Sequence, residues 1–262
     1  MPSPEADHPA DRGVPAALTV FPVSGLGEVR PGDDLAALLA GALIAPADQH
    51  GAPSGGVPGG LTDGDVIVVT QKVVSKSEGR TVEIDADDPG AKRALVERES
   101  TRVLRRRGDL LITETRHGFI CANAGVDLSN VDEGTAALLP VDPDLSARRI
   151  REALEHRHGV SVGVIVSDTF GRTWRRGVTD VAIGCAGVAA VIDLRGTVDA
   201  TGRELQATEV CVADELAAAA ELVMGKDRSV PVAIVRGVPA DWLRPGSVAG
   251  EIVRTPGEDL FR

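Results

Sequence analysis

Residues 160–176, VSVGVIVSDTFGRTWRR, combine a run of β-branched side chains with a carboxylate, a hydroxyl and a cluster of arginines. Gly159 precedes the run, and Asp168 and Thr169 follow it, a pattern typical of a strand that is buried on both faces. Open sheets usually place their chemistry at the carboxyl ends of strands. Asp168 and Thr169 are therefore candidate site residues.

Two interpretations of the polar end of this stretch stay open. Arg172, Arg175 and Arg176 follow within eight residues of the Asp168 carboxylate. A carboxylate and a hydroxyl beside guanidiniums could hold a divalent cation and the phosphates that it bridges. The alternative is an Asx-type turn with solvated arginines, and the local pattern alone favours this turn because isolated Asp-Thr turns are common.

The composition excludes some classes of protein. The chain has 262 residues, a formal net charge of −11, 2% aromatic residues and no tyrosine. A general nucleic-acid surface needs a basic face and usually stacking rings, so no nucleic-acid partner is expected. The basic cluster Arg102–Arg107 remains compatible with a small anionic ligand. At this length the chain can bury a substantial core in one large domain or two modest ones.

Cysteine usage and the N-terminal segment indicate a cytoplasmic protein. Cys121, Cys185 and Cys211 form no CxxC pair, and an odd count fits reduced thiols, which we interpret as buried small hydrophobic residues. The N-terminus lacks a basic region followed by an apolar one, and no apolar run approaches the ~20 residues that span a bilayer. We therefore predict a soluble cytoplasmic protein without a membrane partner.

The remaining pattern predicts alternating strands and helices. Residues 1–17 are predicted to form a disordered lead-in and residues 45–60 a Pro/Gly-rich surface loop. Predicted strands are Leu18–Val23, Asp65–Thr70, Leu110–Thr115, Thr179–Ala190, Glu204–Val210 and Val230–Val235. Predicted helices are Leu35–Leu43, Lys92–Arg107, Asp142–His158 and Ala213–Met224. The glycines in Thr179–Ala190 suggest close backbone packing there.

Polar residues also follow other predicted elements. Lys72 and Lys76 lie four residues apart, so on a helical turn both would project from one face toward phosphate oxygens, although a solvated helix start is an equal alternative. Asp127 and Asn130 could face one site as a metal ligand and an amide contact, although a capped turn is the more common outcome. The chain contains no GxxxxGK[ST] loop, no GxGxxG helix start and no GxSxG elbow.

Five blocks of sequence occur together in one order. They read GLGE (25–28), TQKVVSK (70–76), AGVDLSNV (124–131), SDTFGR (167–172) and VADE (212–215). In this order they resemble the coenzyme F420-0:L-glutamate ligase family, and the likeness runs from about Leu18 to Phe261. The resemblance implies an uncommon α+β or mixed α/β fold with mixed sheets and flanking helices. It implies a ligase domain over residues 18–262, either single or built from two intertwined subdomains.

The same resemblance implies an activity and its partners. Family members use GTP to join L-glutamate to the lactyl carboxylate of F420-0 or dehydro-F420-0, and then extend a γ-linked glutamate tail. The expected route passes through an acyl phosphate. The family implies a requirement for Mg²⁺ or Mn²⁺ at two positions, help from K⁺, and a homodimer.

Site residues are implied by position. The implied nucleotide contacts are Leu26, Gly27, Glu28, Val29, Gln71, Lys76, Asn130, Gly225 and Lys226. The implied metal ligands are Asp127, Asp168 and Thr169, and the expected catalytic residues are Lys76 and Asp168. The arginines Arg172, Arg175 and Arg176 are our own candidates for gripping the anionic acceptor.

The chain departs from the family pattern at two positions. Gln71 stands where the family often has Ser, Thr or Ala, and Lys226 stands where many members have a glutamine that ligates a metal. Because an ammonium cannot ligate a cation, either the second metal loses a ligand to water or Lys226 supplies positive charge to the phosphates. The end at Arg262 is compatible with a stand-alone ligase and with the N-terminal half of a fusion to a flavin-binding domain.

Two other functions would share these residues. The first is a metal-dependent amide ligase for another anionic cofactor, such as a folate-like glutamyl acceptor. The second is a non-catalytic module that binds a nucleotide or a deazaflavin. A substrate screen separates the two ligases, and a binding module would bind GTP equally well in the presence of a chelator.

Overall fold

A computed structural model describes residues 17–44, 57–85, 87–88 and 90–260, so residues 1–16 of the predicted lead-in and 45–56 of the predicted loop lie outside the described residues. The helices are α1 (Leu35–Ile44), α2 (Gln71–Ser77), α3 (Ala91–Arg98), α4 (Pro143–His158), α5 (Val212–Met224) and α6 (Val248–Glu251). The strands are β1 (Thr19–Val23), β2 (Val66–Thr70), β3 (Thr81–Glu83), β4 (Ser100–Arg107), β5 (Leu110–Thr115), β6 (Ile120–Ala122), β7 (Thr135–Ala137), β8 (Gly163–Gly171), β9 (Val178–Ala186), β10 (Ile192–Asp193), β11 (Glu209–Val210) and β12 (Val232–Arg236). The mixture of helices and mixed sheets confirms the predicted fold class.

The centre of the fold is a mixed sheet with the strand order β1-β12-β2-β8-β9. The neighbours β2 and β8 are parallel, whereas the other neighbouring pairs of this sheet are antiparallel. The carboxyl ends of β1, β2 and β8 and the amino ends of β12 and β9 therefore meet at one edge. Val23 pairs with Val232 at this edge, and Thr70 pairs with Ser167.

Hydrophobic residues cover both faces of the central sheet because its inner strands alternate their side chains. Ile67 and Val69 of β2 point into the cluster that also contains buried residues of α1 and α4. Val66 and Val68 point into the opposite cluster, which contains the buried side of α5. The sheet is thus sandwiched between helices, as the continuous apolar runs of its inner strands predict.

Strand β9 approaches the start of α4 very closely. A Cβ atom built on Gly184 would lie 2.3 Å from the carbonyl carbon of Pro143. On the first turn of α4, the Asp144 carboxylate accepts a hydrogen bond from the backbone N–H of Cys185 at 2.8 Å. The close backbone packing predicted for Thr179–Ala190 is therefore confirmed at Gly184.

A smaller hydrophobic cluster joins α3, the sheet β4-β5-β6 and the pair β3–β7. The predicted helix Lys92–Arg107 is wrong in its second half, because α3 ends at Arg98 and the basic segment forms strand β4. Gly108, with φ of +59°, and Asp109 connect β4 directly to β5. This two-residue turn folds the segment into a hairpin.

Most other predicted elements shift by only a few residues. The Asp34 carboxylate caps α1 by accepting the Ala37 N–H at 2.9 Å. The predicted strand Glu204–Val210 is reduced to the two residues of β11. Two cysteines are buried as predicted, but Cys211 is only half-buried. Within the described ranges, no helix combines the length and the apolar character needed to cross a membrane.

Candidate active site

A cleft of about 890 Å³ opens along the sheet edge where β1, β2 and β8 end. It is lined by every residue that the sequence predicted for nucleotide or metal contact, namely Leu26, Gly27, Glu28, Val29, Gln71, Lys76, Asp127, Asn130, Asp168, Thr169, Gly225 and Lys226. Distant segments meet here because neighbouring strands deliver their ends to one edge. The residues lie together as predicted, and the ligands assigned to them stay predictions.

The ends of secondary-structure elements position the cleft residues. The segment Leu26–Val29 follows β1, and α2 begins at Gln71 directly after β2. Helix α5 ends at Gly225, whose φ of +63° favours glycine because a side chain would be strained there. This turn brings Lys226 into the cleft lining.

Asp168 and Thr169 lie inside β8 and not in a turn after it, so the Asx-turn alternative is wrong. Strand β8 continues to Gly171 because β9 supplies hydrogen bonds along it, with Asp168 opposite Val181 and Thr169 opposite Asp180. Its other neighbour, β2, stops opposite Ser167. Asp168 is therefore the first residue of β8 beyond the parallel pair.

Ammonium groups and carboxylates lie next to one another in this cleft. Lys72, Lys76 and Lys226 are three of the four lysines in the chain. Nζ of Lys72 lies 2.8 Å from Oδ2 of Asp127 and donates a hydrogen bond of 2.7 Å to Oγ of Ser129. Burial alone would raise the pKa of Asp127, but the Lys72 ammonium and the Ser129 donors outweigh it and lower this pKa.

Asp180 is a further cleft carboxylate, and the sequence interpretation missed it. Its side chain is 1% exposed, and Oδ1 accepts hydrogen bonds from Thr169 Oγ1 at 2.6 Å and from Lys226 Nζ at 2.9 Å. Lys226 also donates to Thr169 Oγ1 and lies 3.4 Å from Oε1 of Glu221. The only sequence signal for Asp180 was an isolated acid within an apolar, glycine-rich stretch.

Asp168 differs from Asp127 and Asp180 in its contacts. Among the described residues, no side chain forms an ion pair or a hydrogen bond with it, although it is largely buried. Burial, with the negative charges of Asp180 and Asp127, raises the pKa of Asp168 to about 7. Asp127 and Asp168 line the same cleft. A divalent cation would relieve the repulsion among the three acids.

Lys76 is the corresponding unpaired cation, since its ammonium has no ion-pair partner in the part of the chain that the structure describes. It is available for a phosphate oxygen. Gln71, by contrast, is buried, and its amide nitrogen donates to Ser75 Oγ at 2.7 Å and to the Leu138 carbonyl at 2.9 Å. A nucleotide contact by Gln71 would therefore use other atoms.

The oxygen atoms of this cleft are better suited to a metal ion that is already bound to phosphates than to a metal ion alone. The described ranges contain no group of three or more His, Cys, Asp or Glu side chains that could hold a metal by themselves. Magnesium usually binds through one or two carboxylates and completes its shell with waters and substrate phosphates. Asp168 is free for this role, whereas Asp127 and Thr169 would first exchange their contacts with Lys72 and Lys226.

We expect the stability of the cation-free protein to depend on pH through Asp168. Its pKa is higher in the folded protein, about 7, than the value of ~4 for an unfolded chain. Between these values the folded state binds more protons, so the stability that Asp168 contributes falls as pH rises. With a chelator present, Asp168→Asn should melt several degrees above the natural protein at pH 8 and close to it at pH 5. Equal differences at both pH values would contradict the assignment.

Comparison with known proteins identifies the family of this chain. Residues 25–237 match the sequence model of a family described as F420-0:Gamma-glutamyl ligase. The chain belongs to this family. The matched range contains the whole lining of the cleft, from Leu26 to Pro231.

The similarity of this F420-0:gamma-glutamyl ligase family member to curated proteins extends over most of its length. It is 42% identical over 260 residues to the coenzyme F420:L-glutamate ligase of Methanothermobacter thermautotrophicus, covering 94% of this chain and 99% of the relative. It is 42% identical over 267 residues to the same-named protein of Methanopyrus kandleri, covering 95% and 99%. The same-named protein of Methanocaldococcus jannaschii is 39% identical over 219 residues, covering 77% and 86%.

Proposed function

We propose that this chain is a GTP-dependent ligase that joins L-glutamate to F420-0 or its dehydro form and then extends a γ-linked glutamate tail. The observation that supports this most is the combination of Asp168 and Lys76 in one cleft, each without an ion-pair partner among the described residues. The chain also shares 42% identity with proteins named coenzyme F420:L-glutamate ligase. We also propose activation by potassium and a homodimer, and for both of these the only support is that the chain belongs to this family.

The proposed reaction activates a carboxylate before forming an amide. An oxygen of the acceptor carboxylate attacks the γ-phosphorus of GTP, the bond to the bridging oxygen breaks, and GDP leaves. The glutamate amine then attacks the acyl carbon, inorganic phosphate leaves with the bonding electrons, and the amine loses a proton. In both steps the main role of the protein is to align the reactants and to stabilise negative charge.

Residues of the cleft match these tasks. Lys76 would neutralise phosphate oxygens, and the backbone of Leu26–Val29 would lie against the nucleotide with Asn130. Asp127, Asp168 and Thr169 would hold Mg²⁺ or Mn²⁺, which when bound stabilises negative charge on the phosphates and orients them. The ammonium of Lys72, which lies beside Asp127, adds positive charge to the same cleft.

A product assay tests the proposed function. The protein is incubated with F420-0, L-glutamate, GTP and Mn²⁺, and the products are separated by mass. Successive additions of a glutamyl residue, with one GDP formed per addition, would support it. If glutamate is added to a folate-like acceptor but not to F420-0, the proposed acceptor is wrong. If GTP binds equally well with a chelator present and no product forms, the proposal that the protein is an enzyme is wrong.

Lys226→Gln should strengthen the response to metal. The substitution removes the ammonium that contacts Oδ1 of Asp180 and the hydroxyl of Thr169. The hydrogen bond between these two oxygens remains, but a cation can then approach both. We expect half-maximal activity at several-fold lower Mn²⁺ and weaker GTP binding, since positive charge is lost from the cleft. Manganese electron paramagnetic resonance reports the bound ion directly. Lys92→Gln, outside the cleft, is the matched control, and unchanged Mn²⁺ binding in Lys226→Gln would contradict the prediction.

A further inference from the structure

The hairpin formed by β8 and β9 extends beyond the central sheet. Strand β2 ends opposite Ser167, so residues 168–171 of β8 pair only with β9. We call residues 168–181 the hairpin arm. The base of the arm carries Asp168, Thr169 and Asp180, which line the cleft, and its tip consists of residues 172–177. Anything bound at the tip is therefore held by the same two strands that carry the cleft acids.

The tip exposes the largest side chain that the chain possesses. Trp174 is 91% exposed, in a protein with two tryptophans and no tyrosine. Its backbone has a φ of +66°, a conformation that a bulky residue adopts at a cost. Val178, 62% exposed, continues the apolar surface from the tip into the cleft lining. An exposed indole beside a cleft is the type of surface that binds a planar ring.

The charges at the tip point to an anionic ligand. Arg172, Arg175 and Arg176 form no ion pair with any residue that the structure describes, although the chain has a net charge of −11. Arg172 donates a hydrogen bond of 2.8 Å to the Arg176 carbonyl, which holds the turn together. The guanidinium of Arg175 has no such contact and is free for a phosphate or carboxylate group.

The dimensions suit the acceptor of the proposed reaction, on which this inference rests. The four residue steps from Asp168 to Arg172 span about 13 Å in an extended strand. F420-0 carries its reacting carboxylate and a phosphodiester at one end and a planar deazaflavin at the other, with a ribityl chain between them. With the carboxylate near Asp168, the ring would reach the tip of the arm.

We propose that the hairpin arm is the acceptor-binding site, with the indole of Trp174 stacked on the deazaflavin and the positive charge of Arg175 attracting the phosphodiester from a distance along the arm. Stacking on Trp174 supplies affinity that depends on the ring alone. Arg175 supplies affinity that depends on charge and therefore falls with salt. The two residues thus bind different parts of one ligand.

Binding without catalysis tests the site. F420-0 is titrated into the full chain without GTP, glutamate or metal, by calorimetry and by quenching of tryptophan fluorescence. Trp242→Phe, which leaves Trp174 as the only tryptophan, should retain the quenching. Trp174→Ala should weaken binding about tenfold, in line with the loss of one stacked ring, and Trp174→Phe should restore most of it.

A second ligand separates ring binding from charge. The same deazaflavin carrying only its ribityl chain should lose affinity in Trp174→Ala but not in Arg175→Ala. Intact F420-0 should lose affinity in both variants, and the Arg175→Ala effect should shrink at high salt. In turnover, KM for F420-0 should rise in both variants while KM for GTP stays unchanged.

Three outcomes bear on the proposal in different ways. Unchanged F420-0 affinity in Trp174→Ala would overturn it. A change from dimer to monomer in Trp174→Ala, measured by sedimentation, with unchanged ring binding would assign the indole to a second copy and also overturn it. Ring binding through Trp174 in a protein that adds no glutamate would support the site while contradicting the proposed function.

Discussion

Asp168→Asn is expected to lower kcat about a thousandfold while the fold stays intact. Asp168 is a cleft carboxylate without a side-chain partner among the described residues, and asparagine keeps its shape but removes its charge. Loss of one group that stabilises transition-state charge typically costs a factor of 10²–10³. Glutamate addition is measured by mass at limiting and at saturating Mn²⁺, and circular dichroism checks the fold.

The matched control is Asp132→Asn, which removes an exposed carboxylate that does not line the cleft. This variant should turn over like the natural protein. Near-normal turnover of Asp168→Asn at limiting Mn²⁺ would contradict the role assigned to Asp168. Equal loss in both variants would show that the effect is not local to the cleft.

Gly184→Ala is expected to destabilise the protein by about 3 kcal/mol, at the upper end of the usual cost of overpacking. The added methyl carbon would lie 2.3 Å from a backbone carbon of Pro143 and 2.7 Å from the backbone nitrogen of Asp144. Neither atom can rotate away, so α4 or β9 must shift. For a protein of this size the loss corresponds to a fall in Tm of about 6–12 °C.

Gly171→Ala is the control, because it lies in the neighbouring strand of the same hairpin and its added methyl group would meet nothing within 4 Å. Its Tm should change by no more than a degree or two. A Gly184→Ala protein that melts with the natural one would show that α4 and β9 separate easily. The close approach would then contribute little to the fold.

Much of the sheet could be predicted from the sequence because its inner strands are continuous apolar runs rich in β-branched residues. Residues 66–70 and 232–235 are such runs, and the structure places both in the central sheet. The pattern of residues 100–107 predicts the end of a helix because its apolar and basic residues also fit a helical period. The glycine at 108 decided the outcome, since a tight turn there allows the segment to pair with β5.

The cleft residues could be chosen from the sequence, but their contacts could not. Asp180 became part of the site because the register of β8 and β9 places it opposite Thr169. Register depends on the whole hairpin and is not visible in either strand alone. The contacts of Lys226 with Asp180 and Thr169 likewise depend on the folded chain, since Lys226 lies 46 positions after Asp180 in the sequence.

The sheet edge that forms the cleft is assembled from the ends of β1, β2, β8 and β12, which lie far apart along the chain. Occupancy of the cleft and global unfolding are therefore coupled, because unfolding any of these strands removes part of the binding surface. A nucleotide present at 100 times its Kd would add about 2.7 kcal/mol to the unfolding free energy. Amide hydrogen exchange should then slow simultaneously in strands from both termini of the domain, so that a ligand at one edge protects the chain as a single cooperative unit.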